Sequence, residues 1–264
     1  MPDGPSLVAP ALAFLHHLGA CALLGWRCAA AMFRRPFETR ELLKQIESLG
    51  IRSLGLVTVT SVFIGMVMAT QFAFGLRKFG GLEYTGRLIG VSFARELAPS
   101  LMAVIVGGRI GAGIAAELGS MVVTEQIDAI VALGADPVKK LVMPRVLASV
   151  VVLPILSTLS LVLGFGGATL IADSQFDMPA AFFFNSALDQ LDVFDYLMGL
   201  IKTPVFGLLI ALVGCYLGLQ TRGGTRGVGT STTRSVVSIS IAILSADFLM
   251  SHLLIEMYDL LALG

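Results

Sequence analysis

Charge is scarce in this 264-residue chain. Asp, Glu, Lys and Arg make up only 14% of it, 18 of each sign, so the net charge is zero. Without a basic surplus or a basic tract, nucleic acid is excluded as a partner. With 56% hydrophobic residues and a mean hydropathy of +0.87, a soluble domain is excluded too. Cysteine is nearly absent. Cys21, Cys28 and Cys215 lie in apolar context with no histidine at ligand spacing, so neither a metal site nor a disulfide framework is expected. His16, His17 and His252 form no pattern and read as structural. The phosphate-cradling string G-x-x-x-x-G-K-[ST] does not occur, nor does a paired-carboxylate or nucleophile–base signature. No catalytic residue or bound cofactor is therefore expected, and any ATP with its Mg would be hydrolysed on a separate chain. Internal repeats are lacking, which counts against the inverted-repeat secondary transporters. Residues 1–6 carry an acid and no base, so a cleaved signal peptide is not expected.

What the chain has is long apolar runs. Leu54 to Leu76 is 23 residues without a charge, about 35 Å of helix at a rise of about 1.5 Å per residue, enough to span a bilayer. Further spans are predicted over 88–119, 146–172, 196–219 and 236–255. The segments between them, including 173–195 with five aspartates and the glycine-rich 220–235, read as loops. Residues 7–33 are apolar but irregular. Trp26 and the basic cluster Arg34, Arg35, Arg40 and Lys44 favour a helix lying in the membrane surface over a sixth span. The fold class is all-α integral membrane: one domain over 1–264, with an interfacial region (1–53) and a bundle of five spans (54–256). Twelve Lys and Arg then fall on the side of the N-terminus, and only Arg77, Lys78 and Arg87 opposite. The positive-inside rule puts the N-terminus in the cytoplasm and the C-terminus outside.

One polar island interrupts the greasy chain, Thr124 to Arg145. Thr124 reads as the N-cap of a short helix, with Glu125 and Asp128 in its first turn. Ile127, Ile130 and Val131 form its apolar stripe, and Gly134 ends it. Asp136-Pro137 restarts a helix. The expected picture is a short crosswise helix on the cytoplasmic side, a docking surface for a soluble partner.

Four charges sit deep within spans: Arg95, Glu96, Lys202 and Asp247. Each costs about 2.5–3.5 kcal/mol at mid-helix, so they should face one another or a wet cavity. Arg95 and Glu96 are adjacent and cannot pair with each other, so Lys202 and Asp247 are their expected partners. A polar patch in a translocation cavity and a structural network bracing helices both fit. Pro99 and Pro204, close by in sequence, predict kinks beside the charges. Gly107, Gly111, Ala115 and Gly119 recur at four-residue spacing. This small-residue face suits close packing within the chain or a homodimer seam.

The strings FARELAP (93–99), GGRIGAGIAAELGSMVVTEQIDAI (107–130), LGADPVKKLVMPRVLA (133–148) and GVGTSTTRSVV (227–237) leading into ADF (246–248) closely resemble the MlaE/YrbE family of ABC-transporter permeases of MCE-type lipid transport systems. The resemblance covers most of 70–255. It implies a homodimeric inner-membrane permease docked on cytoplasmic ABC ATPase subunits, often with a STAS-domain subunit, beneath a periplasmic ring of MCE-domain proteins. Glu125, Gln126, Ile127, Asp128, Ile130, Val131 and Leu133 would belong to the ATPase-coupling helix. Arg95, Glu96, Lys202 and Asp247 would line a lipid cavity, with Leu76, Phe79 and Leu97 against acyl chains. The implied function is ATP-driven phospholipid movement that maintains outer-membrane lipid asymmetry. A proton-coupled secondary transporter working through Glu96 and Asp247, or a membrane scaffold, are the rival readings.

Overall fold

A chain that crosses lipid must satisfy its backbone hydrogen bonds internally, and a helix does so within one segment. The computed structural model describes residues 8–32 and 38–262, and no strand occurs among them. Helix α1 is Val8–Met32, and α2 is Thr39–Arg77. A 3₁₀ turn at Leu82–Tyr84 leads into α3 (Thr85–Ser92), a π-helical segment (Phe93–Leu101) and α4 (Met102–Val123), all one continuous rod. The short α5 is Gln126–Ala132. A second π-helical stretch, Val138–Val142, opens α6 (Met143–Phe176), followed by α7 (Ala180–Leu188), α8 (Val193–Leu219) and α9 (Gly224–Ala262). Among the described residues five stretches are long and apolar enough to cross a membrane: α2, the 82–123 rod, 138–176, α8 and most of α9. Arg34 and Arg35 of the basic cluster lie outside the described residues.

Every span outlasts the apolar run that predicts it. α2 starts at Thr39 rather than at 54, because Glu41, Leu42, Leu43, Lys44 and Gln45 are all good helix formers. Hydropathy marks where the membrane stops, not where the helix does. Two predicted loops are corrected for the same reason. The acidic 173–195 segment contains the end of α6, all of α7 and the start of α8. The glycine-rich 220–235 segment is helical from Gly224. There the hydroxyls turn inward: Thr230 donates to the Arg226 carbonyl at 3.1 Å, and Thr233 to that of Gly229 at 3.2 Å, a mode of self-bonding that lets such residues sit in helix interiors.

Small residues set the helix spacing. α2 and α6 cross so closely that a Cβ on Gly65 would sit 1.8 Å from the Gly164 carbonyl oxygen, and Ser61 donates to Ser160 at 2.8 Å beside that crossing. On α4, Gly107 faces Ile210 and Ile243, Gly111 faces Ile239, and Gly119 faces Thr221. Ala115 is fully buried, in contact with Gly218. The small-residue face of α4 is thus occupied by α8 and α9 of the same chain.

The main core joins α4, α6 and α8 through Val106, Ile110, Leu153, Phe206 and Ile210, and a second core gathers around Phe93 and Phe183. α1 packs along α8 and the 138–142 stretch, tied by His17 Nδ1 to the Tyr216 hydroxyl at 2.7 Å. α9 is the least covered span, with Phe248, Leu249 and Leu253 all outward.

One glycine decides how α8 meets the π-helical segment. A Cβ on Gly199 would lie 2.0 Å from the Ala94 carbonyl oxygen, so no other residue fits without separating the two. Gly199→Val is expected to cost about 3 kcal/mol by overpacking, read as a lower melting temperature of the detergent-solubilised protein. Unchanged melting would show that this crossing is soft.

Candidate functional site

Three elements converge on Lys202: the π-helical segment, α8 and α9. Proline explains the first. Pro99 has no N–H, so the carbonyl of Arg95, four residues earlier, loses its α-helical donor. Lys202 Nζ donates to that carbonyl at 3.1 Å. Segments of wide π-helical turn recur at functional sites because they free backbone and re-aim side chains. On α8, Pro204 likewise frees the Leu200 carbonyl, and the Thr203 hydroxyl takes it at 2.8 Å. The absent Cβ of Gly199, one turn before Lys202, allows the approach.

Lys202 is 1% exposed. Its ammonium donates to Glu96 Oε1 at 2.8 Å, to Asp247 Oδ1 at 3.2 Å and to Ser251 Oγ at 2.7 Å. Ser251 in turn donates to Glu96 Oε1 at 2.9 Å, and Ser100 to Asp247 Oδ1 at 2.6 Å. Glu96, Lys202 and Asp247 therefore form one knot tying three helices. Arg95 is not part of it. Its guanidinium turns to Asp195, with Nε 2.6 Å from Oδ1. The pairing of Arg95 with Asp247 expected from the sequence is corrected accordingly, whereas Lys202 does meet Glu96.

Asp195 is the residue that sequence reasoning missed. It is 4% exposed at the N-terminus of α8, where Asp192 caps the helix and Asp195 bonds back to the Asp192 N–H at 3.1 Å. This capping box satisfies two orphan donors at the helix start. Its signal was present: acids three apart just before an apolar run. Counting Asp195 as the last residue of a solvated loop hid it.

The knot is open on one side. Side-chain exposure rises from 1% at Lys202 through 17% at Asp247 to 36% at Arg95 and 44% at Glu96. Two cations and three carboxylates thus lie behind a partly open window, beside the bare apolar face of α9. Of the apolar residues tied to this region by resemblance, Leu97 packs partly into the second core. Leu76 is half-buried near the end of α2, and Phe79 is 87% exposed in the turn after it. Among the described residues no cluster of His, Cys, Asp and Glu could hold a metal.

The second candidate element is α5. Thr124 does not cap it: Thr124 closes α4, its hydroxyl donating to the Ser120 carbonyl. Glu125 occupies the cap position instead, at φ +58°. That left-handed residue turns the chain between α4 and α5, at a conformational cost of about 1–2 kcal/mol. Gly134, at φ +76°, ends α5 as predicted, with Ala135 N–H bonded to the Ile130 carbonyl and Gly134 N–H to that of Val131. Asp136 restarts the chain, accepting from the Val138 N–H at 2.9 Å. Ile127 and Ile130 pack on the core, whereas Val131 and Leu133 are 54% and 86% exposed. At the root of this element Arg145, the last residue of the polar island, is buried. It donates to the Leu141 carbonyl at 2.7 Å and to Glu117 at 2.9 Å.

Comparison with known proteins adds the last observation. The family description "Permease MlaE" matches residues 42–253. A probable ABC transporter permease of Synechocystis is 40% identical, the alignment covering 85% of this chain and 86% of the relative. A probable ABC transporter permease of Rickettsia conorii is 35% identical, over 91% of this chain and 93% of its own length. The chloroplast protein Trigalactosyldiacylglycerol 1 of Arabidopsis thaliana is 38% identical over 80% of this chain and 61% of its own length. Five membrane-length helices among the described residues and this match lead to one conclusion: the chain belongs to the MlaE permease family, and is a multi-pass transporter subunit rather than a catalyst.

Proposed function

We propose that this permease moves phospholipid between the inner membrane and a periplasmic conduit of MCE-domain proteins, driven by ATP hydrolysed on separate cytoplasmic ATPase subunits. It works as a homodimer, with a STAS-domain subunit in the assembly, and its transport maintains outer-membrane lipid asymmetry. The chain lies with its N-terminus in the cytoplasm and its C-terminus in the periplasm, and residues 1–264 act as one domain.

The observation that carries this reading is the half-open knot of Glu96, Lys202 and Asp247, with the neighbouring Arg95–Asp195 pair, beside the uncovered apolar face of α9. A lipid has a charged head and greasy tails, and needs both kinds of surface in one place. The glycerolipid name of the Arabidopsis relative points the same way. Closure of the ATPase pair pushes α5 as a rigid body, and its junctions at Glu125 and Gly134 pass the push to α4 and α6.

The test is transport in proteoliposomes. Permease with its ATPase partner is expected to move labelled phospholipid only when ATP is present. Movement driven by a pH gradient, by the permease alone and without ATP, would establish the ion-coupled reading instead. No movement under any condition, with no lipid bound in the purified complex, would leave only a scaffold.

A further inference from the structure

A second charged opening lies elsewhere on the molecule, between α2 and α4. It is a cleft of about 210 Å³ whose polar wall is Gln45, Ser48, Arg52 and Arg109. Its apolar wall includes Ile110 and Ile114, and Gly113 keeps it open, a Cβ there meeting nothing within 4 Å. Among the described residues neither arginine has a carboxylate within ion-pair distance. The one acid on the cleft wall, Glu117, is committed to Arg145.

Arg109 is aimed. Its Nη1 donates to Ser53 Oγ at 2.7 Å, and the fully buried Ser53 donates onward to the Leu49 carbonyl. That chain of bonds holds the guanidinium in the wall and leaves its other N–H groups for the cleft. Height in the membrane is set by α2: Arg52 and Ser53 come directly before the uncharged run Leu54–Leu76. The cleft therefore sits where hydrocarbon gives way to headgroups, on the face that holds most of the lysines and arginines. The knot around Lys202 is about 20 Å away along the same rod.

We infer that this cleft binds the phosphate of an anionic glycerophospholipid in that leaflet, a resident lipid distinct from any cargo at the knot. Two guanidinium groups suit a phosphate, since each offers planar N–H pairs. Gln45 and Ser48 suit glycerol or headgroup hydroxyls. An occupied site would clamp α2 to α4. The inference does not rest on the lipid-transport reading above.

The test is native mass spectrometry of the intact complex, delipidated and then titrated with phosphatidylglycerol, phosphatidylcholine or inorganic phosphate. Wild type is expected to retain phosphatidylglycerol over phosphatidylcholine. The double substitution Arg52→Gln and Arg109→Gln should weaken that retention at least about tenfold, the scale of losing charged hydrogen bonds. Gly113→Leu, which fills the cleft and leaves both charges, should do the same. Arg226→Gln, which removes one exposed charge outside the cleft lining, should leave it unchanged. Equal retention by wild type and both cleft variants would overturn the site. Displacement of lipid by millimolar inorganic phosphate, or equal retention of phosphatidylcholine, would overturn the anionic-lipid assignment.

Discussion

Lys202→Met is expected to destabilise the protein by about 3 kcal/mol, the low end for breaking a buried ion pair because Glu96 keeps contact with solvent. The methionine fills the same volume, but Glu96, Asp247, Ser251 and the Arg95 carbonyl all lose their common donor. On the usual scaling the melting temperature falls by roughly 10 °C. Replacing the two carboxylates as well, with Glu96→Gln and Asp247→Asn, should recover most of that loss, since a neutral cluster leaves no buried charge unpaired. Transport should not recover with it. The comparison separates bracing from cargo handling, which the single variant cannot do. Failure of the triple variant to regain stability would show that the loss lies in the ion network itself and not in the carboxylates left unpaired. Wild-type transport by the triple variant would show that they do not handle lipid.

The second large effect is expected at α5. Leu133→Asp should weaken association with the ATPase subunit by about thirtyfold, the loss typical of a central apolar anchor worth about 2 kcal/mol. Leu133 is 86% exposed and Val131 beside it 54%. Neither serves the permease's own core, so the change should leave folding untouched. Reversing Glu125 and Asp128 to lysine should weaken the same association or uncouple ATP turnover from lipid movement. Both are read by co-purification and by permease-stimulated ATPase rate. Association within twofold of wild type for all three substitutions would remove α5 from the docking surface.

The spans and their number were legible because hydrocarbon imposes a simple rule on composition. So were the intramembrane charges, which stand out against their surroundings. Three things stayed hidden, for different reasons. Helix ends beyond the membrane obey propensity and side-chain self-bonding rather than hydropathy, so α7 and the first turns of α9 passed for loop. Capping was misassigned at Thr124 because a threonine hydroxyl satisfies the end of the preceding helix as readily as the start of the next. Partner choice was the harder problem. That Lys202 would meet Glu96 and Asp247 could be guessed from scarcity, but Arg95 turning to Asp195 depends on how α8 crosses the 93–101 segment. Gly199 permits that crossing, and nothing in its local sequence announces it.

An ammonium group has three hydrogens, and Lys202 stands within bonding distance of four oxygens. One of the four is always waiting its turn. Three helices are thereby held by a fastener that can exchange partners without letting go. Four oxygens around three hydrogens let the ammonium change partners while it stays within the cluster.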